Sequence, residues 1–197
     1  MLPAAENINI VLASKSPRRQ QLIAALGFPF RCVSVSADEV LPAGIPADEA
    51  SEYLARLKAS AFDCNSLAEN DILVTADTVV VADGRVLGKP ADRDDAWRML
   101  SLLSGRCHVV HTGVCLTTKT EVHSFTESTK VYFNHLEDNE IEYYLDNFKY
   151  LDKAGSYGIQ DWIGYIGVER VEGCFYNVVG LPVSRLYREI KQLMRKS

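Results

Sequence analysis

The first apolar run of the chain leads directly into the signals of a helix start. Residues 9–13 (NIVLA) predict a short buried strand. Ser16 suits the N-cap of a helix and Pro17 suits its first position. The apolar face of that helix carries Leu22, Ile23 and Leu26. Because Gly27 is a typical residue just past a helix end, the pattern predicts a strand, a loop and a short helix.

The following segments alternate between strand and helix patterns. Residues 30–35 predict a second strand, and apolar positions recur at helical spacing from about Pro46. A buried strand over residues 72–76 is expected to end at Asp77. The Asp83-Gly84 pair lies between two short apolar runs and predicts a hairpin with a tight turn.

The rest of the chain adds long strands and further helices. The predicted elements are a helix at 96–103 closed by Gly105, strands over 107–133 broken at 118–120, a helix at 137–148, glycine-rich loops and short strands over 152–173, and a helix after Pro182. Early alternation of strands and helices, followed by paired strands, predicts an α/β fold. We expect a mixed, partly antiparallel sheet with flanking helices.

Composition excludes several classes of protein. With 197 residues, 47% of them hydrophobic, we expect one globular domain over residues 1–197. No apolar stretch approaches the roughly 20 residues of a membrane helix. No basic leader precedes an apolar run near the start, so we expect no export signal and no membrane partner. The net charge of −5 argues against general nucleic-acid binding.

Cysteine usage and missing motifs narrow the picture further. The five cysteines are odd in number and form no CxxC, which argues against a disulfide framework or a zinc site. We expect reduced, mostly buried thiols in a cytoplasmic protein. The sequence has no GxGxxG after the first strand, no GxxxxGK[ST] and no HExxH. These absences remove most support for a dinucleotide fold, a P-loop or a zinc protease.

The segment from Ser14 to Arg19 predicts an anion site. Backbone N–H groups at a helix N-terminus carry partial positive charge and favour an anion. Two arginines in the first turn oppose that charge, so a bound anion would account for Arg18 and Arg19. Ser14 could add a hydroxyl. The alternative is a solvated arginine pair on a surface helix.

Carboxylates follow two of the predicted strands. Asp77, with Thr78 beside it, ends an apolar strand, where open α/β sheets place ligands. An aspartate there could bind a metal ion or take a proton from water. The alternative is a turn or capping aspartate. Asp38 and Glu39 follow the second strand and suit either a metal ligand or a solvated loop.

The roles of three more polar residues depend on which other side chains the fold brings close to them. Lys58 and Lys89 are candidate phosphate partners if they converge on the arginines, and are otherwise surface charges. Gln160 presents an amide donor and an acceptor, which suits the edge of a nucleobase. Its surroundings could equally be an ordinary glycine-rich connection.

These segments together resemble the Maf family of nucleoside triphosphate pyrophosphatases. The similar blocks are LASKSPRR (12–19), LARLKA (54–59), ADT (76–78), GKP (88–90), DKAGSYGIQ (152–160) and NVVGLP (177–182). They come in the family's order over about residues 9–193. Six ordered blocks make the resemblance specific, whereas any one of them would be weak.

The resemblance implies a fold and a reaction. The implied fold is α/β, with an elongated mixed sheet and two lobes around a cleft, as in the inosine triphosphate pyrophosphatases. The implied reaction hydrolyses a nucleoside triphosphate between its α- and β-phosphates, giving a monophosphate and pyrophosphate. It needs a divalent cation, Mg²⁺ or Mn²⁺. The DKAGSYGIQ block is similar to the branch that acts on dTTP and UTP.

The resemblance also implies roles for residues at matching positions. Asp77 matches the family's proton acceptor and lies near the metal, for which Glu39 is a second carboxylate. The positions around the triphosphate are those of Ser14, Arg18, Arg19, Lys58 and Lys89. The positions linked to base choice are those of Arg18, Thr78 and Gln160.

Other functions stay open at this stage. One is a pyrophosphatase for modified or non-canonical nucleotides. Another is a nucleotide-binding regulator of cell division with little turnover, because the family takes its name from an association with septum formation. A homodimer is compatible with the sequence, which does not indicate any protein partner.

Overall fold

The computed structural model describes residues 8–196, with side chains up to Met194. The strands in this range are β1 (Asn9–Leu12), β2 (Phe30–Cys32), β3 (Asp71–Ala82), β4 (Arg85–Leu87), β5 (Cys107–Thr117), β6 (Val122–Phe133) and β7 (Val168–Glu172). The helices are α1 (Pro17–Ala25), α2 (Ala50–Ser60), α3 (Arg93–Leu103), α4 (Asp138–Asn147), α5 (Trp162–Gly167), α6 (Phe175–Val179) and α7 (Val183–Lys196). The start of the chain, on which the expectation of no export signal rests, lies outside the described residues.

The strands form one mixed sheet in the order β2-β1-β3-β5-β6-β7, with β4 paired to β3. β1 pairs in parallel with β2 and with β3. The β3–β4 and β6–β7 pairs are antiparallel. The predicted α/β class, with a partly antiparallel sheet and flanking helices, is therefore confirmed.

The chain divides into two compact units. Within residues 8–196, the first unit contains the residues up to Asp77, Thr112–Glu127 and the residues from Gly180 onward. The second contains Thr78–His111 and Ser128–Val179. The single domain expected over residues 1–197 stays a prediction, as does the cleft that the family resemblance implies.

The first unit is built on strands whose two faces are both covered. Ile10 and Leu12 point into one core, which also contains Ile23 of α1 and Leu186 of α7. Val11 lies in a second core, whose remaining members include Ala13, Ala55, Ala59 and Leu73. Because side chains alternate across a strand, a continuous apolar run is what a strand buried on both faces requires. The NIVLA run thus places α1 and α7 on one face and α2 on the other.

Two local predictions are confirmed in detail. The Ser16 side chain caps α1 by accepting a hydrogen bond from the Arg19 backbone N–H at 3.4 Å. Gly27 follows the helix end with φ +76°, a conformation that favours glycine. Asp83 and Gly84 connect β3 to β4, with φ of +48° and +72°, as a tight primed-type hairpin turn requires.

Other expectations were wrong in extent or type. β3 does not end at Asp77 but runs on as one strand to Ala82, because the apolar residues after Asp77 continue the ladder. The region predicted as loops and short strands contains α5 as well as β7. A six-residue helix is too short to show a helical period, and its glycines favoured a loop.

The cysteines are only partly as expected. All five are free thiols, which agrees with the absence of a disulfide framework. Only Cys115 is buried, while Cys32 and Cys107 are exposed, so the expectation that most are buried was wrong. No helix within residues 8–196 is long and apolar enough to cross a bilayer.

Close packing of α2 on β5 gives a stability prediction. A Cβ added at Gly113 would lie 2.3 Å from backbone atoms of Ser51 and Glu52, which cannot rotate away. We expect Gly113→Ala to lower the free energy of unfolding by about 3 kcal/mol. Gly88→Ala, where nothing lies within 4 Å, is the matched control. Urea unfolding measures both, and equal midpoints for the two variants would contradict this account.

Candidate active site

Lys58 lies between two carboxylates in the first unit. Its ammonium nitrogen is 2.6 Å from Asp77 Oδ1 and 3.1 Å from Glu39 Oε2. The side chains of Lys58 and Asp77 are only 16% and 15% exposed, whereas that of Glu39 is 48% exposed. Three predicted site residues that are distant in sequence therefore meet, and two negative charges share one positive charge.

The backbone of α2 is fastened to the sheet next to this cluster. The Thr75 hydroxyl, which is fully buried, donates to the Ala55 carbonyl of α2 at 2.6 Å. On the same helix, the Glu52 carboxylate accepts hydrogen bonds from Ser124 at 2.7 Å and Thr126 at 2.8 Å. These contacts fix the helix that carries Lys58 relative to β3, which carries Asp77.

Arg19 is bound to two backbone carbonyls. Its Nε donates to the Gly180 carbonyl at 2.8 Å, and one terminal nitrogen donates to the Ala76 carbonyl at 2.9 Å. Burial lowers the pKa of the Arg19 guanidinium, while the nearby Asp77 carboxylate acts in the opposite direction. Arg19 thus holds the backbone directly before Asp77. Its role toward a phosphate stays a prediction.

The other residues of the predicted anion site lie at the start of α1. Ser14 Oγ accepts a hydrogen bond from the Ser16 N–H at 3.2 Å, which leaves its own proton available to donate. The Ser14 carbonyl accepts from Gln20 Nε2 at 3.2 Å, which fixes the loop against α1. Arg18 is partly buried at the second position of the helix.

Three predicted site residues lie in the second unit. Thr78 follows Asp77 on β3 and is partly buried, whereas Lys89 and Gln160 are exposed. The Gly155 N–H donates to the Gly88 carbonyl at 3.0 Å. The segment that carries Gln160 is therefore tied directly to the residue before Lys89.

A buried aromatic group supports the same segment. His108 Nε2 lies 2.8 Å from the Tyr157 hydroxyl, and both rings pack edge-on with Phe133. Burial lowers the pKa of His108 to about 4, so its ring is neutral at pH 7. Burial also raises the pKa of Tyr157, which keeps its hydroxyl protonated. Both side chains are therefore uncharged at pH 7, and their hydrogen bond helps to hold the segment that carries Gln160.

Asp77 and Glu39 are the two carboxylates of the site that could hold a divalent cation. Asp77 and Glu39 both contact one ammonium group, so their oxygens already surround a positive charge. Within residues 8–196, no group of three or more His, Cys, Asp or Glu residues could hold a metal ion. Mg²⁺ is commonly held by one or two carboxylates, with phosphates and water as its other ligands. The donor set suits that mode of binding.

Sequence reasoning missed the groups that position these residues. The carbonyls of Ala76 and Gly180 have no signature in side-chain types. The sequence assigned Lys153 no role beyond its place in the DKAGSYGIQ block, yet its side chain is 8% exposed and paired with Asp161. A lysine next to an aspartate in a block with two glycines was the available signal.

Comparisons with known proteins bear on the whole chain. The family model described as "Maf-like protein" matches residues 9–193. A Porphyromonas gingivalis protein named "dTTP/UTP pyrophosphatase" is 50% identical over 193 residues, covering 97% of each chain. A Bacteroides thetaiotaomicron protein of the same name is 46% identical, covering 98% of this chain and all of its own.

The comparison with solved structures is weaker. The Staphylococcus aureus Ham1 protein has a TM-score of 0.46 and 15% identity, covering 92% of this chain and 99% of its own. The family match spans nearly all of the described residues, and the relatives named above are 46% and 50% identical to this chain. This chain belongs to the Maf-like protein family.

Proposed function

We propose that this protein hydrolyses dTTP and UTP between the α- and β-phosphates, releasing the nucleoside monophosphate and pyrophosphate with Mg²⁺ or Mn²⁺. The observation that carries the proposal is the Lys58 ammonium lying between Asp77 and Glu39. The names of relatives 46% and 50% identical to this chain support the same reaction and the same bases.

The cationic groups suit the charge of a triphosphate. Transfer at phosphorus depends mainly on positioning and on neutralising charge. Lys58 is within reach of Asp77, and Arg18 and Ser14 stand at the start of α1, where backbone N–H groups also favour an anion. An overall acidic protein can attract such a substrate when its cations are concentrated locally. Arg19 of the first unit belongs to the same proposed set, and Lys89 of the second unit is a further proposed phosphate partner.

Asp77 is the proposed general base. Its Oδ1 accepts a hydrogen bond from the Lys58 ammonium at 2.6 Å, which fixes the direction of the carboxylate. The carboxylate takes a proton from the water that attacks the phosphate. Asp77 and Glu39 would hold a divalent cation, which when bound supplies charge neutralisation at the phosphate oxygens.

Base selection is assigned to Gln160, Thr78 and Arg18. The exposed Gln160 amide offers one donor and one acceptor, and a pyrimidine such as thymine or uracil offers a matching pair on one edge. Recognition by paired hydrogen bonds discriminates strongly, because a wrong base leaves polar groups unpaired.

A panel of nucleoside triphosphates tests the proposed substrates. We expect pyrophosphate release that requires Mg²⁺ or Mn²⁺ and is fastest with dTTP and UTP. Faster release from modified or non-canonical nucleotides would keep the reaction and overturn the base assignment. A folded protein that binds dTTP but releases no pyrophosphate would instead be a nucleotide-binding regulator.

Replacing the proposed base gives a sharper test. Asp77→Asn keeps the shape of the side chain but removes its charge, so we expect a loss of kcat of at least about 100-fold. Asp83→Asn is the matched control, because Asp83 pairs with Arg106 in an exposed hairpin. Steady-state rates with dTTP measure both. A fully active Asp77→Asn protein would remove Asp77 from the mechanism.

Removing the shared cation should impair the same site. Lys58→Gln leaves Asp77 and Glu39 without their common partner, and we expect kcat/KM for dTTP to fall roughly 10- to 100-fold. Lys119→Gln is the control, since Lys119 forms an exposed pair with Glu69 in the same unit. Unchanged kcat/KM in Lys58→Gln would contradict a role for this residue.

A further inference from the structure

A buried lysine lies within the segment that carries Gln160. The Lys153 side chain is 8% exposed, and its ammonium contacts the Lys149 carbonyl. It also lies 3.1 Å from Asp152 Oδ1 and 3.4 Å from Asp161 Oδ2. Burying an ammonium group is costly unless it is paired and hydrogen-bonded. These three oxygens satisfy it, so the lysine is fixed in one place.

Asp161 is held from a second direction. Its Oδ2 accepts a hydrogen bond from the Tyr144 hydroxyl at 3.0 Å. Tyr144 is fully buried, and burial and the Asp161 charge both raise the pKa of its hydroxyl. The hydroxyl therefore remains a donor at every physiological pH. The Asp161 carboxylate is therefore held between the buried Lys153 ammonium group and the buried Tyr144 hydroxyl.

Asp161 also closes the turn that contains Gln160. The Asp161 N–H donates to the Gly158 carbonyl at 2.9 Å. A Cβ at Gly158 would lie 2.5 Å from Asp161 Oδ2 and 2.9 Å from Lys153 Cε, so the backbone packs directly on the ion pair. Gln160 is exposed between buried Ile159 and fixed Asp161.

We propose that Lys153 is a positioning residue for base selection, which orients Gln160 by holding Asp161. The inference rests on the proposed function, in which Gln160 reads the base. Lys153 itself is buried beneath the turn and acts only through it. Loss of Lys153 would leave Asp161 held by Tyr144 alone, and its side chain, which is already 27% exposed, could then turn toward solvent. Gln160 would then meet the base in several orientations.

The test is a double-mutant cycle on base discrimination. The ratio of kcat/KM for dTTP to that for dCTP is measured in the wild type, Lys153→Met, Gln160→Ala and the double variant. We expect Lys153→Met to lower the ratio about tenfold, because a tenfold change is what the loss of one directional contact between Gln160 and the base would cause. In the Gln160→Ala background, the same change should alter the ratio by less than about twofold.

Two further variants keep the test decisive. Lys149→Met removes an exposed lysine four residues away and should leave the ratio unchanged. If Lys153→Met does not fold, Tyr144→Phe removes only the hydroxyl that holds Asp161. We expect that variant to lower the ratio roughly threefold, and only when Gln160 is present.

The outcomes separate the two proposals. The positioning role is overturned if the wild type prefers dTTP and its dTTP-to-dCTP ratio is unchanged in Lys153→Met. If Lys153→Met does not fold, an unchanged ratio in Tyr144→Phe overturns the role in the same way. An equal loss of kcat/KM for both nucleotides assigns Lys153 to folding and also overturns the positioning role. The same conclusion follows if Lys153→Met changes the ratio as much in the Gln160→Ala background as in the wild type. A wild type that releases no pyrophosphate from either nucleotide overturns the proposed function and this inference together.

Discussion

The shared contact of Lys58 with Asp77 and Glu39 is the interaction on which the candidate site depends. The Glu39 and Asp77 carboxylates lie 3.1 and 2.6 Å from the same Lys58 nitrogen, and they would repel each other without this cation between them. Lys58 supplies that cation from α2, and α2 is fixed by buried Thr75 and by its close approach to Gly113. The packing of one helix on the sheet therefore determines the charge arrangement of the site. A metal-bound triphosphate would bring both new positive charge and new negative charge to this cluster.

Arg19 shows that a cation predicted to bind an anion can instead hold backbone groups in place. Its hydrogen bonds to the Ala76 and Gly180 carbonyls join the strand before Asp77 to the segment before α7. Hydrogen bonds from a charged donor are stronger than neutral ones, which suits a residue that fixes the backbone beside the proposed general base. Lys153 has an analogous place in the second unit, where it fixes backbone beside Gln160. In both cases a buried or half-buried cation orients a neighbour.

Local features were predictable from the sequence because their causes are local. The Ser16-Pro17 helix start and the Asp83-Gly84 turn follow from backbone preferences of a few adjacent residues. The alternation across β1 follows from its apolar run. The continuation of β3 past Asp77 was missed, because an aspartate with a β-branched run behind it looks the same at a strand end and inside a strand.

The partners of the site residues could not be predicted in the same way. Nothing in the spacing of Lys58, Asp77 and Glu39 indicates that one ammonium contacts both acids, since 19 residues separate the first two. The similarity to a family supplied the candidate site residues but not the groups that hold them in place. Lys153 and Asp161 form a contact over eight residues through a turn that the sequence suggested only as a loop.

The products formed from dTTP show which phosphoanhydride bond the protein breaks. If water cleaves the bond between the α- and β-phosphates, dTTP incubated with the protein and Mg²⁺ in ¹⁸O-labelled water should give dTMP and pyrophosphate in equal amounts. One labelled oxygen should appear in one of these two products for each turnover. Formation of dTDP and inorganic phosphate would contradict the account, because the bond broken would then be the one between the β- and γ-phosphates.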